Sequence, residues 1–166
     1  MNKFRLGLIF CFGLILTNGL CQDFGLKPKY SVSFDIEKGS RLLKQCSRGT
    51  PDNISSYWTV TADEIKVLED NFKKIKKLKS SDCCFPGTAI GNLNRYGFQY
   101  IGLTIGNKRY IYINAFEINS ERDFETMYKD WKTEPIIMCD GGESYWGVLF
   151  DLDKLKFKEL VVNGVA

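Results

Sequence analysis

The stretch PIIMCDGGESYWGVLFD, Pro135 to Asp151, gathers the side chains best suited to chemistry. A thiol at Cys139 sits beside the carboxylates of Asp140 and Glu143 on a Gly141-Gly142 turn, and Asp151 and Asp153 follow. A nucleophilic thiol needs a base or a positive neighbour to form the thiolate. Cys139 has acids beside it, which favour the thiol. Paired carboxylates can hydrolyse glycosides, so Asp140, Glu143 and Asp151 form a possible hydrolytic set. Asp151 and Asp153 also offer oxygen ligands for calcium, but DLDKLK lacks the glycine and the later glutamate of a calcium loop. The chain contains no histidine. Ser-His-Asp and Cys-His catalysis, imidazole zinc sites and histidine pH switches are therefore excluded within it. No metal and no cofactor is expected.

A third constellation is aromatic and amide: Gln99, Tyr100, Tyr110, Tyr112, Asn114 and Trp146. Rings beside amides can form a sugar or peptide surface. The competing reading is core packing. With the turn acids Asp140 and Glu143, these six are the candidate binding residues; none is assigned a catalytic role.

Apart from Cys11 and Cys21 near the N-terminus, the cysteines are Cys46, Cys83, Cys84 and Cys139, an even number that suits disulfides in an oxidising compartment. Four cysteines allow three pairings. A bond between the neighbours Cys83 and Cys84 closes a strained ring. Discounting it sends Cys46 to one of that pair and Cys139 to the other. No C-x2-C spacing of structural zinc or dithiol redox chemistry is present.

The elements that would position these residues are legible from periodicity. Tyr30 to Ile36 alternates as a strand, and Ser40 heads a short helical piece reaching Cys46. TVTADEIKVLEDNFKKIKKLK predicts a helix over 62–79, with Thr61 and Glu64 as a capping box and Ile65, Leu68, Phe72, Ile75 and Leu78 inward. Its lysines, Lys73, Lys74, Lys76, Lys77 and Lys79, suit the negative end of the helix dipole as a solvated face. They could also meet an anionic surface. YGFQYIGLTIGNKRYIYINAF, 96–116, predicts a hairpin turning at Gly106-Asn107 and pairing Gln99 with Asn114. A second helix is expected over 121–132 with Phe124, Met127, Tyr128 and Trp131 inward, and C-terminal strands over 136–162, starting with Ile136 to Cys139. The fold class is α+β: an antiparallel sheet packed by two amphipathic helices and stapled by disulfides.

The N-terminus MNKFRLGLIFCFGLILTNGLCQDF has a basic start, an apolar run from Leu6 to Leu16 and a short exit, the layout of a secretory signal. Residues 1–21 are read as signal and 22–166 as one globular domain without a membrane-spanning segment. Lipidation of Cys21 is the minor alternative, since Leu20 rather than a small residue precedes it. From residue 22 the chain has 21 Lys and Arg against 20 Asp and Glu, because only Lys3 and Arg5 are lost. A net charge of +1 makes no global case for nucleic acid.

YWTVTADEIKVLE, FQYIGLTIGNKRYIYINAF, CDGG with YWGVLFDLDKLKF, and VVNGVA together resemble a family of small exported bacterial proteins of unknown function, from Trp58 to the C-terminus. The resemblance implies a periplasmic, envelope or secreted bacterial protein and carries over no catalytic residues. The resulting expectation is a non-enzymatic module that binds a protein or envelope ligand, in an inhibitor or immunity-type role. The alternatives are a carboxylate-dependent hydrolase and a surface structural module or lipoprotein.

Overall fold

A computed structural model describes residues 23–81 and 85–165. The signal reading, Cys21, Cys83 and Cys84 lie outside the described residues. The described residues form an α+β fold around one six-stranded mixed sheet. Its strands are β1 (Ser31–Ser33), β2 (Ile54–Trp58), β3 (Tyr96–Ile105), β4 (Lys108–Glu117), β5 (Tyr145–Asp151) and β6 (Lys156–Val162). The β3–β4 hairpin has the expected register, with Ile105 opposite Lys108 and Gln99 opposite Asn114. Gly106 has φ 59° and Asn107 is not left-handed, the combination a type II′ turn requires. β4, β5 and β6 continue antiparallel.

On the outer side of β3 the expectation of an antiparallel sheet needs correcting. β1 pairs in parallel with Phe98–Tyr100, and β2 pairs antiparallel with Gly102–Ile105, so the two short strands share one edge end to end. β2 was not expected. A bulge between Ile54 and Ser56 breaks its alternation, and adjacent serines dilute its apolar signal. Trp58 lies across Gly102, where a Cβ would stand 2.1 Å from the indole, and Phe116 covers Gly97 in the same way. These glycines let large rings lie flat on a neighbouring strand.

The helices are shorter than periodicity suggests. The first, α1, spans Ile36–Arg41 and is capped by Asp35 rather than Ser40. The second, α2, spans Ala62–Asn71 and passes into a 3-10 helix at Phe72–Lys77. From Phe72 the apolar residues recur every third position, Phe72, Ile75, Leu78, which matches the three residues per turn of a 3-10 helix. The expected helix over 121–132 is a 3-10 turn at Glu121–Phe124 followed by further turns. Phe124, Tyr128 and Trp131 still pack inward, but Met127 is 61% exposed.

Phe98, Tyr100, Ile113, Trp146 and Phe150 project to one face of the sheet, where α2 and its 3-10 extension bring Leu68, Phe72 and Ile75. On the other face, Ile101, Leu103, Tyr112 and Leu149 meet Phe34 and Leu42 around α1. Phe116 and Tyr145 meet Tyr128 and Trp131 of the connection between β4 and β5. Burial on both faces explains why β3 and β4 read as nearly continuous apolar runs.

The start of α2 carries a testable electrostatic device. Thr61 N–H and hydroxyl donate to Glu64, both at 2.9 Å, and Arg109 donates to Glu64 at 2.7 Å. Burial alone pushes the Glu64 carboxyl up, but the Thr61 bonds and Arg109 outweigh it and hold Glu64 below its ordinary value. A lowered folded pKa contributes stability above the unfolded value and loses it as pH falls through the folded one. Thr61→Ala should therefore cost about 1 kcal/mol at neutral pH. That difference should narrow as urea melts are repeated down to about pH 3. A gap that widens on acidification rejects this account.

Candidate functional site

β3 and β4 present Gln99 and Asn114 side by side on the face covered by α1 and the β4–β5 connection, with Asn114 Nδ2 donating to Gln99 Oε1 at 3.1 Å. Both are buried. Their remaining groups bind the protein's own chain. Gln99 Nε2 donates to the carbonyls of Trp131 and Glu134 at 2.7 and 2.9 Å, and its Oε1 accepts from Ile136 N–H at 2.8 Å. Asn114 Nδ2 also donates to Ile136 O at 2.9 Å. Asn163, just past β6, donates to Met138 O at 2.6 Å and to Asp140 O at 3.2 Å. The segment 136–139 is not the strand expected. Its backbone groups meet four side-chain amides, those of Gln45, Gln99, Asn114 and Asn163, instead of a neighbouring strand.

Arg48 closes this network, and sequence reasoning missed it. Its guanidinium donates to Asn163 Oδ1 at 2.7 Å, to Tyr112 Oη at 3.2 Å and to Asn114 Oδ1. Arg48 is buried, and among the described residues no carboxylate stands within ion-pair distance of it. The only sequence signal was one arginine in a Gly-Pro loop, which looks like any solvated loop charge. The disulfide joins the same two covering segments: Cys46 bonds to Cys139, and not to the Cys83-Cys84 pair. The elimination failed because strain in a bond between neighbours says nothing about whether Cys46 and Cys139 meet. The fold brings them together, since 42–48 and 131–140 lie side by side over the sheet, joined through Gln45 Nε2 to Ile136 O at 3.3 Å.

The six aromatic and amide candidates do not form one open surface. Gln99, Tyr110, Tyr112 and Asn114 are buried on this face, while Tyr100 and Trp146 are buried on the opposite one. The turn acids lie elsewhere. Asp140 and Glu143 are exposed around Gly141 and Gly142, whose φ values of 97° and 54° suit glycine at this turn. Asp151 is buried at the far end of β5, where Oδ1 accepts from Asp153 and Lys154 N–H at 3.1 and 2.9 Å and closes the β5–β6 turn. A seven-residue strand separates it from Glu143 by roughly 20 Å. The carboxyl pairs of glycoside hydrolases stand about 5 to 9.5 Å apart. Among the described residues no cluster of acids and cysteines could hold a metal.

A cleft of about 480 Å³ beside Glu143 is lined by Phe85, Thr88, Glu143, Ser144, Val162 and Val165, together with the glycine turn. Ser144 Oγ donates to Glu117 Oε2 at 2.6 Å, and Arg95 pairs with the other oxygen of this buried carboxylate. A hydroxyl on a carboxylate resembles a nucleophile beside its base. Here, however, both carboxylate oxygens are already occupied, and Ser144 satisfies the second of them. Compared with known protein families, with curated proteins and with solved structures, the chain matches none.

Proposed function

We propose that this protein is an exported, non-enzymatic binding module whose ligand is a protein or another envelope component, in an inhibitor or immunity-type role. The observation that supports this reading most is the cleft beside the glycine turn. It joins apolar walls from Phe85, Val162 and Val165 to a polar rim from Glu143 and Ser144. That is the composition expected where a short peptide segment buries an apolar side chain and fixes its backbone by a few hydrogen bonds. The chemistry-bearing groups nearby are otherwise committed: Glu117 to Arg95 and Ser144, and Asp151 to its own turn. A Cys46–Cys139 bridge suits an oxidising compartment. No described helix is long and apolar enough to cross a membrane.

The test is a comparison of wild type with the double variant Glu143→Lys, Val165→Asp. Both side chains are exposed, so the variant should fold normally. In pull-downs from envelope extract, a partner held by wild type should fall at least tenfold in the variant, as expected when an apolar anchor is lost from an interface. A partner retained equally by both, or turnover of a glycan or peptide that Glu143→Gln abolishes, overturns the proposal.

A further inference from the structure

The 3-10 geometry of Phe72–Lys77 has a consequence for charge. With three residues per turn, Phe72 and Ile75 stack on the buried line, which leaves Lys73 with Lys76, and Lys74 with Lys77, on the two outward lines. An α-helix would have smeared these four over a wider arc.

The surroundings extend the patch. Lys74 Nζ donates to Leu155 O at 3.2 Å, which sets the β5–β6 turn, with exposed Lys154 and Lys156, against the helix. The chain enters the body here too. Lys73 pairs with Asp23 at 3.0 Å, its N–H donates to Phe24 O at 2.8 Å, and Lys74 and Lys77 lie 5.4 and 4.8 Å from the Phe24 ring centroid. Six lysines against Asp23 and Asp153 put this surface at +4. The body from residue 22 has 21 Lys and Arg against 20 Asp and Glu, so everything else sums to −3. The excess of positive charge thus sits on this surface, and the rest of the protein is net acidic. Leu155, 39% exposed and held in left-handed backbone at φ 51°, projects from the middle of the charged surface.

We propose that this lysine face docks the protein on a lipid bilayer carrying anionic headgroups. Four lysines from one 3-10 helix, Lys154 from the facing turn and Lys156 at the start of β6 form a broad patch, which suits a charged plane better than a single phosphate. Clustered lysines near such a plane each add to binding through its surface potential. Leu155 offers an apolar tip at the level of the charges, the pairing seen in interfacial anchors. This inference does not depend on the cleft, which lies at the opposite end of β6.

The test is co-sedimentation of the protein from residue 22 with vesicles of phosphatidylcholine alone or mixed equally with phosphatidylglycerol. Apolar contact through Leu155 contributes to both, so the difference between the two reports the lysine patch. Binding should favour the anionic vesicles and weaken as salt shortens the Debye length from about 10 Å to about 3 Å. Lys76→Gln, Lys154→Gln, Lys156→Gln should lower the anionic preference about 100-fold. Lys44→Gln, Lys129→Gln, Lys132→Gln, with the same net charge but on the other side of the sheet, should leave it within about twofold. Equal binding to both vesicle types overturns the proposal, as does equal loss in the two triple variants. Lysine-dependent capture of soluble polyphosphate without vesicle preference overturns it too, and assigns the face to a soluble polyanion.

Discussion

Asn114→Leu is expected to destabilise the protein by about 3 kcal/mol, although the two side chains have nearly the same size. Asn114 is the hub of the buried network: its Oδ1 accepts from Arg48 and its Nδ2 donates to Gln99 and to Ile136 O. Leucine would fill the space and leave a guanidinium facing hydrocarbon, and a buried polar group that loses its partner costs about 1 to 3 kcal/mol, more when charged. Arg48→Met tests the same contact from the other side. It removes the buried charge along with the bonds, and leaves neutral acceptors on Asn114, Asn163 and Tyr112 rather than an under-satisfied cation, which costs less. Arg48→Met should thus cost about half as much as Asn114→Leu, and the double variant should recover at least 1 kcal/mol relative to the sum. Urea denaturation with unchanged m-values measures all three. Additivity within about 0.5 kcal/mol would mean that Arg48 and Asn114 are neighbours without mutual dependence.

This network also shows where sequence was informative and where it was not. The hairpin register followed from one dipeptide, because Gly at the first position of a two-residue loop fixes both the turn and every pair beyond it. Gln99 and Asn114 were thereby placed opposite each other on a partly buried face. What periodicity does not contain is the identity of the third partner. Ile136 to Met138 looks like a strand because it is apolar, yet its backbone partners are amide side chains from β3, β4, the end of β6 and Gln45. Gln99 and Asn114, two of the candidate binding residues, grip the protein's own connection. The same limit applies to β1. Alternation identified it as a strand, but nothing local distinguishes a parallel neighbour from an antiparallel one. The 3-10 extension of α2 was visible in principle, since Phe72, Ile75 and Leu78 keep a spacing of three, but those positions fit an α-helical face equally well over one turn. The sites fared unevenly for a related reason. Glu143 could be placed on an exposed turn from glycines alone, whereas its apolar neighbours Phe85 and Val162 come from distant segments.

The disulfide carries the second large effect. Cys46 and Cys139 are separated by 93 residues, and constraining a loop of that length in the unfolded chain is worth at most about 4.6 kcal/mol. Cys46→Ser, Cys139→Ser should therefore lower unfolding free energy by about 2 to 4 kcal/mol, and the protein should remain folded. The reason for expecting a folded variant is the amide network, which holds residues 131–140 to the sheet through Gln99, Asn114 and Asn163 independently of the sulfurs. Bridge and network are two tethers on one segment, so their losses should not simply add. In the cysteine variant, amide exchange at Ile136, whose N–H is held by Gln99, should rise modestly. With Asn114→Leu added, the connection loses the bridge and one amide anchor, keeping Gln99 and Asn163, and Ile136 should exchange faster than either loss alone predicts. The bridge itself is checked by proteolysis without reductant, which should release a peptide around Cys46 joined to one around Cys139. A peptide joining Cys46 to Cys83 or Cys84 would refute the pairing. Strictly additive losses, with Ile136 protected as strongly in the triple variant as in wild type, would show that the connection is held by apolar packing of Tyr128 and Trp131 rather than by its two polar and covalent anchors.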